Sequence, residues 1–128
     1  MSETSHSLSN SEWKVMECLW SSGPQTLMQL VKQLGEHPGW AKSTVSTLVK
    51  RMEGKGVLTY EEQGRTKVYL PAISREDAAH AETQSLLSKV YHGSASLLVN
   101  ALVEQQELSP QELDELYAIL EQAKGGAK

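Results

Sequence analysis

Residues 40–71 read WAKSTVSTLVKRMEGKGVLTYEEQGRTKVYLP, and the pattern within them decides the fold. Val45, Leu48, Val49 and Met52 recur at i, i+3, i+4 and i+7, the spacing of one inward helical face. The opposite face carries Ser43, Ser46, Thr47 and Lys50, flanked by Thr44 and Arg51, with no acidic residue before Glu53. Small hydroxyl side chains let a helix sink into a groove, and Lys or Arg at its edges can meet phosphates. Gly54 and Gly56 are expected to stop this helix. Two strand-like segments, 57–60 and 67–70, then flank Gln63-Gly64-Arg65-Thr66, a tight loop with a basic tip.

A polar-faced helix followed by a basic-tipped hairpin is the pattern of a winged helix-turn-helix that binds DNA. The same residues also fit a plain core helix next to an unrelated hairpin. Upstream, Ser9 and Glu12 form a capping box, with Leu8 and Trp13 placed as its hydrophobic staple. The first helix then turns Trp13, Met16, Leu19 and Trp20 inward and ends at Ser21-Ser22-Gly23-Pro24. Thr26 and Gln29 open a second helix that buries Leu27, Leu30, Val31 and Leu34 and stops at Gly35. Trp40 is expected to pack at the hinge into the third.

Downstream, Ser74 caps a helix with Asp77 at its third position, and a helical pattern runs from Arg75 to about Gln106, bent at Gly93. Ser109-Pro110-Gln111-Glu112 starts the last helix, which Gly125 and Gly126 end. Leu87, Val90, Tyr91, Leu97, Leu98, Ala101 and Leu102 on one segment, and Leu113, Leu116, Tyr117 and Leu120 on the other, make two apolar stripes. An amphipathic hairpin of this kind needs a cover; packing back onto the DNA-binding domain is one solution, and self-association, which also suits two-fold symmetric DNA, is the favoured one. The fold class is therefore mainly α with a small β-hairpin. Its parts are a disordered arm (1–8), a winged-helix DNA-binding domain (9–73), a helical dimerisation domain (74–124) and a tail (125–128).

Charge follows the same division. The 128 residues carry a net charge of −4, too acidic for indiscriminate coating of nucleic acid. Residues 1–75 hold nine Lys/Arg against seven Asp/Glu, and residues 76–128 hold three against nine. Only the first half is suited to phosphate. The lone Cys18 excludes an intrachain disulfide and fits a reducing cytoplasm as a packed thiol. No apolar run reaches the roughly 20 residues of a membrane span, and the start MSETSHSLSNSE lacks an export pattern, so no membrane insertion is expected. His6, His37, His80 and His92 are scattered without Cys partners, so no metal and no cofactor are expected. With no phosphate loop, nucleophile elbow or HExxH, catalysis is not indicated and the chain does not read as an enzyme.

The segments LSNSEWKVMECLW, GWAKSTVSTLVKRMEGKG, GRTKVYLPAISREDA, LLSKVYHGSASLLVNALVE and LSPQELDELYAIL together resemble the penicillinase-repressor family, the BlaI/MecI/CopY type of bacterial transcriptional repressor. The likeness runs from about Leu8 to Leu120. It implies homodimers on pseudo-palindromic operators that repress antibiotic-resistance, metal-export or stress genes. On this resemblance Ser43, Thr44, Ser46 and Thr47 face base edges, while Lys42, Lys50 and Arg51 meet phosphates and Arg65 and Lys67 serve the wing. Relatives are inactivated by a membrane sensor-protease pathway that cuts an Asn-Phe bond. The matching bond here is Asn100–Ala101, with Ala in place of Phe. The cysteine cluster of copper-responsive relatives is missing from the GGAK terminus. The alternative function is a winged helix used for protein docking or small-molecule sensing, although Lys42, Lys50 and Arg51 favour DNA.

Overall fold

The computed structural model describes residues 7–126. The chain runs α1 (Asn10–Ser22), β1 (Gln25–Thr26), α2 (Leu27–Glu36), α3 (Lys42–Lys55), β2 (Leu58–Gln63), β3 (Thr66–Pro71), α4 (Arg75–Val90), α5 (Ala95–Glu104) and α6 (Pro110–Gly126). It divides into two compact units, 1–85 and 86–128, with the division inside α4.

The first unit is built on the three predicted helices. The Ser9 hydroxyl accepts from the Glu12 amide at 3.1 Å and the Glu12 carboxylate accepts from the Ser9 amide at 2.9 Å. Thr26 and Gln29 repeat this exchange at the start of α2. Each box satisfies two amides that a helix start leaves without partners. Val15, Met16 and Leu19 of α1, Leu30 and Leu34 of α2, and Val45, Leu48, Val49 and Met52 of α3 meet in one core. Val57, Leu58, Tyr69, Ile73 and Ala78 close it. Trp13, Trp20 and Trp40 pack on its rim, and the Trp20 indole N–H donates to the Ile73 carbonyl at 3.1 Å. Leu8, at the end of the expected arm 1–8, is buried in this core, and its amide donates to Glu82 of α4 at 3.3 Å. The rest of that arm, 1–6, lies outside the described residues.

Two helix ends and the sheet differ from the sequence reading. Helix α2 passes through Gly35 to Glu36, and α3 passes through Gly54 and ends at Gly56. Gly56 adopts φ 91°, ψ 7°, a left-handed cap that lets its amide reach the Met52 and Glu53 carbonyls. The expected hairpin is part of a three-stranded antiparallel sheet, ordered β1-β3-β2. Gln25 and Thr26 pair with Tyr69 and Val68, while β2 and β3 pair from Leu58↔Pro71 to Gln63↔Thr66 around a turn at Gly64 and Arg65.

The second unit corrects the single bent helix expected over Arg75 to Gln106. Helices α4 and α5 are separate because His92 (φ 53°) and Gly93 (φ 81°) are consecutive left-handed residues, which no α-helix accommodates. Ser94 restarts the chain as a helix by accepting from the Leu97 amide at 3.2 Å. Ser109 and Glu112 form the expected third box on α6. That helix continues through Gly126, beyond its expected stop, and residues 127–128 of the expected tail lie outside the described residues. Among its described residues this unit buries none in the single chain.

Candidate nucleic-acid interface

The candidate surface follows from how α3 is held. Its apolar face is spent on the core, so its remaining side chains point outward at about 100° per residue. Ser43, Thr47 and Lys50 are exposed along the centre line opposite the core, and Thr44 and Arg51 are exposed on one flank. Ser46 lies on the other flank and is half-buried, apart from the other three base-contact candidates. Lys42 is exposed in the first turn, where the N-cap Ala41 supplies no side-chain hydrogen bond. The first-turn amides of α3 therefore lack the side-chain cap that α1 and α2 possess.

Ser43, Thr44, Thr47 and Arg51 line one open groove of about 430 Å³ with Leu48 as its apolar element and Ser9 and Ser11 of α1 beside them. Ser9 and Ser11 are additions to the sequence-derived set. The capping box marks Ser9 in the sequence, but its place beside α3 is a tertiary fact. Among the described residues no carboxylate lines the groove. The nearby Glu12 is only 3 % exposed and accepts from Lys55 Nζ at 2.7 Å, so its charge is turned inward and neutralised. Burial pushes the Glu12 carboxyl up, but hydrogen bonds from Lys55 and the Ser9 amide and the charges of Lys55 and Arg51 outweigh it, leaving the group below its ordinary value.

The wing is less cationic than its tip suggests. Arg65 is exposed at the turn. Lys67 lies over the Tyr60 ring at 4.2 Å, and Tyr60 meets Tyr69 edge-on at 6.0 Å. Lys67 is thus anchored to the sheet by a cation–π contact. Its cross-strand partner is Glu62, and Glu61 stands beside it on β2, both exposed. Glu62 thus faces Lys67 across the strands, while Arg65 lies in the turn, outside the paired register.

The remaining sequence-derived positions fall in the second unit. Leu87, Tyr91, Leu98, Leu102, Leu113 and Leu116 are half-buried, whereas Val90, Leu97, Tyr117 and Leu120 are exposed. Val99, Val103, Leu113, Leu116, Tyr117 and Leu120 line an apolar depression of about 250 Å³. Asn100 is exposed on α5 and Ala101 is half-buried. Among the described residues no helix is long and apolar enough to cross a membrane, and no cluster of three His, Cys, Asp or Glu is placed to hold a metal. Cys18 is half-buried, and burial together with the Glu17 charge pushes its thiol up, away from reactive thiolate.

Comparison with known proteins agrees with this geometry. Residues 8–122 match the model of the penicillinase repressor family. The chain is 31 % identical over 121 residues to a penicillinase repressor of Bacillus licheniformis, covering 94 % of each. It is 26 % identical to the methicillin resistance regulatory protein MecI of Staphylococcus aureus, covering 94 % of this chain and 98 % of that one. Among solved structures, the DNA-binding domain of the repressor BlaI matches 60 % of this chain and 93 % of its own, with a TM-score of 0.53 and 28 % identity. The monomeric form of Bacillus licheniformis BlaI in complex with the blaP half-operator matches 55 % of this chain and 85 % of its own, with a TM-score of 0.50 and 30 % identity.

Proposed function

This chain belongs to the penicillinase repressor family, a family of repressors rather than enzymes, and from that premise we propose how it works. It is a cytoplasmic DNA-binding transcriptional repressor that acts as a homodimer on a pseudo-palindromic operator and controls antibiotic-resistance or stress genes. The observation that carries this reading is the groove, free of acids among the described residues, in which Ser43, Thr44, Thr47 and Arg51 stand exposed while the opposite side of α3 is core. Ser43 and Thr47 meet base edges, where short hydroxyls donate to or accept from either partner of a base pair. Thr44 lies between them and the flank, and Ser46 serves as a marginal contact. Lys42, Lys50, Arg51 and Arg65 meet phosphates, and Lys67 supports the wing.

Dimerisation is supported by the apolar surface of the second unit. Tyr117, Ile119 and Leu120 of α6 are 71 %, 62 % and 55 % exposed in the single chain, and Val90 and Leu97 stand out from α4 and α5. Exposed apolar residues on helices without a buried core among the described residues fit a second copy, whose identical surface is self-complementary under two-fold symmetry. Cleavage at Asn100–Ala101, where Ala stands in place of the relatives' Phe, would require α5 to unwind, because that bond lies inside the helix.

Selection from a randomised duplex library at two salt concentrations tests the reading. The expected result is enrichment of a two-fold symmetric site with half-sites about one helical turn apart. Weak, salt-steep and sequence-blind binding would contradict it.

A further inference from the structure

The groove beside α3 has a second wall that the recognition helix does not supply. Ser43, Thr44, Thr47 and Arg51 form one side, and Ser9 and Ser11 at the start of α1 form the other. Among the described residues its polar lining is five hydroxyls and one guanidinium with no carboxylate, the donor set of a phosphodiester site. The two walls are fixed to each other. Glu12 accepts at the same time from the Ser9 amide at 2.9 Å and from Lys55 Nζ at 2.7 Å, which ties the beginning of α1 to the end of α3.

Orientation decides which part of DNA reaches this groove. When Ser43, Thr47 and Lys50 point at the floor of the major groove, Arg51 stands about 70° further round the helix and faces the groove's edge. That edge is the sugar–phosphate backbone. The Ser9 hydroxyl spends a lone pair on the Glu12 amide at 3.1 Å and keeps its proton for donation, and the Ser11 side chain is exposed.

We propose that α1 is part of the DNA interface, with Ser9 and Ser11 donating to an operator phosphate whose charge Arg51 meets from the opposite wall. This rests on the DNA-binding reading above. It adds a backbone clamp outside the recognition helix and the wing, one that holds α3 at a fixed depth irrespective of sequence.

The test is Ser11→Glu, with Gln84→Glu on the exposed face of α4 as a control of equal charge, and Ser11→Ala as a milder variant. An acid in the first turn of α1 favours the helix, so Ser11→Glu keeps or raises the thermal midpoint. Affinity is read by fluorescence anisotropy on a selected operator duplex and on a random duplex. Ser11→Glu should weaken both by about tenfold at low salt, with the loss shrinking as salt rises. Ser11→Ala should weaken both by about threefold, and Gln84→Glu by less than about twofold. If Ser11→Glu and Ser11→Ala bind like the parent while Arg51→Ala loses affinity, the clamp is refuted and the DNA reading stands. If the parent chain binds neither duplex, the DNA reading fails and takes the clamp with it.

Discussion

Replacing Glu12 with Gln removes a single charge from the junction that holds α1 against α3. The carboxylate is 3 % exposed, and Lys55 Nζ donates to it at 2.7 Å. A Gln at the third helical position can still accept the Ser9 amide, so the cap survives and the loss is confined to the ion pair. Stripping one partner from a fully buried pair costs about 3–5 kcal/mol. The Lys55 side chain is 26 % exposed and can turn its ammonium to water, which brings the expected loss to about 2 kcal/mol. The pH dependence has a definite sign. The folded-state carboxyl lies below its unperturbed value of 4.5, so its contribution is complete above that value and is lost as pH falls through the lowered one. The parent and Glu12→Gln should therefore differ most near neutral pH and converge in acid. Urea unfolding followed by tryptophan fluorescence measures this directly, because Trp13, Trp20 and Trp40 all lie in the first unit. A gap between the two proteins that stays constant from about pH 7 to about pH 3 would refute the reasoning.

Other outcomes follow from the same geometry. Arg51→Ala should weaken binding to every duplex and lower the slope of log K against log salt by about one unit, whereas an unchanged slope removes Arg51 from the phosphate contacts. Thr47→Ala should alter sequence preference more than general affinity, by about 1–3 kcal/mol on its preferred base pair. Equal losses on operator and random DNA would sink that role. Leu120→Glu places a charge where the single chain is already open, so the protomer keeps its helical circular dichroism. Sedimentation should then show monomers at micromolar concentration, and a persisting dimer would place α6 outside the interface.

What could be read from the sequence was mostly local. The Ser9/Glu12, Thr26/Gln29 and Ser109/Glu112 boxes need only residues three apart, and the core face of α3 needs only a 3.6-residue period. What escaped depended on partners distant in the chain. Strand β1 has two residues and exists because Gln25 and Thr26 find Tyr69 and Val68. The groove places Ser9 and Ser11 beside Arg51, about forty residues away, through packing that no short motif records. The half-buried position of Ser46 depends on the packing around α3, which spacing alone does not supply. At the wing, the basic tip drew attention from Glu62, whose place opposite Lys67 depends on strand register. The break at 91–94 hid behind a lone glycine, since the left-handed turn there also recruits His92.

The most direct test of the account is a titration of the protein against a selected symmetric operator duplex and against its isolated half-site, with stoichiometry read by sedimentation. The account predicts two protomers on the symmetric duplex and about hundredfold weaker binding to the half-site, because the second unit links two reading helices into one ligand. One protomer per duplex, with the same affinity for both, would contradict it.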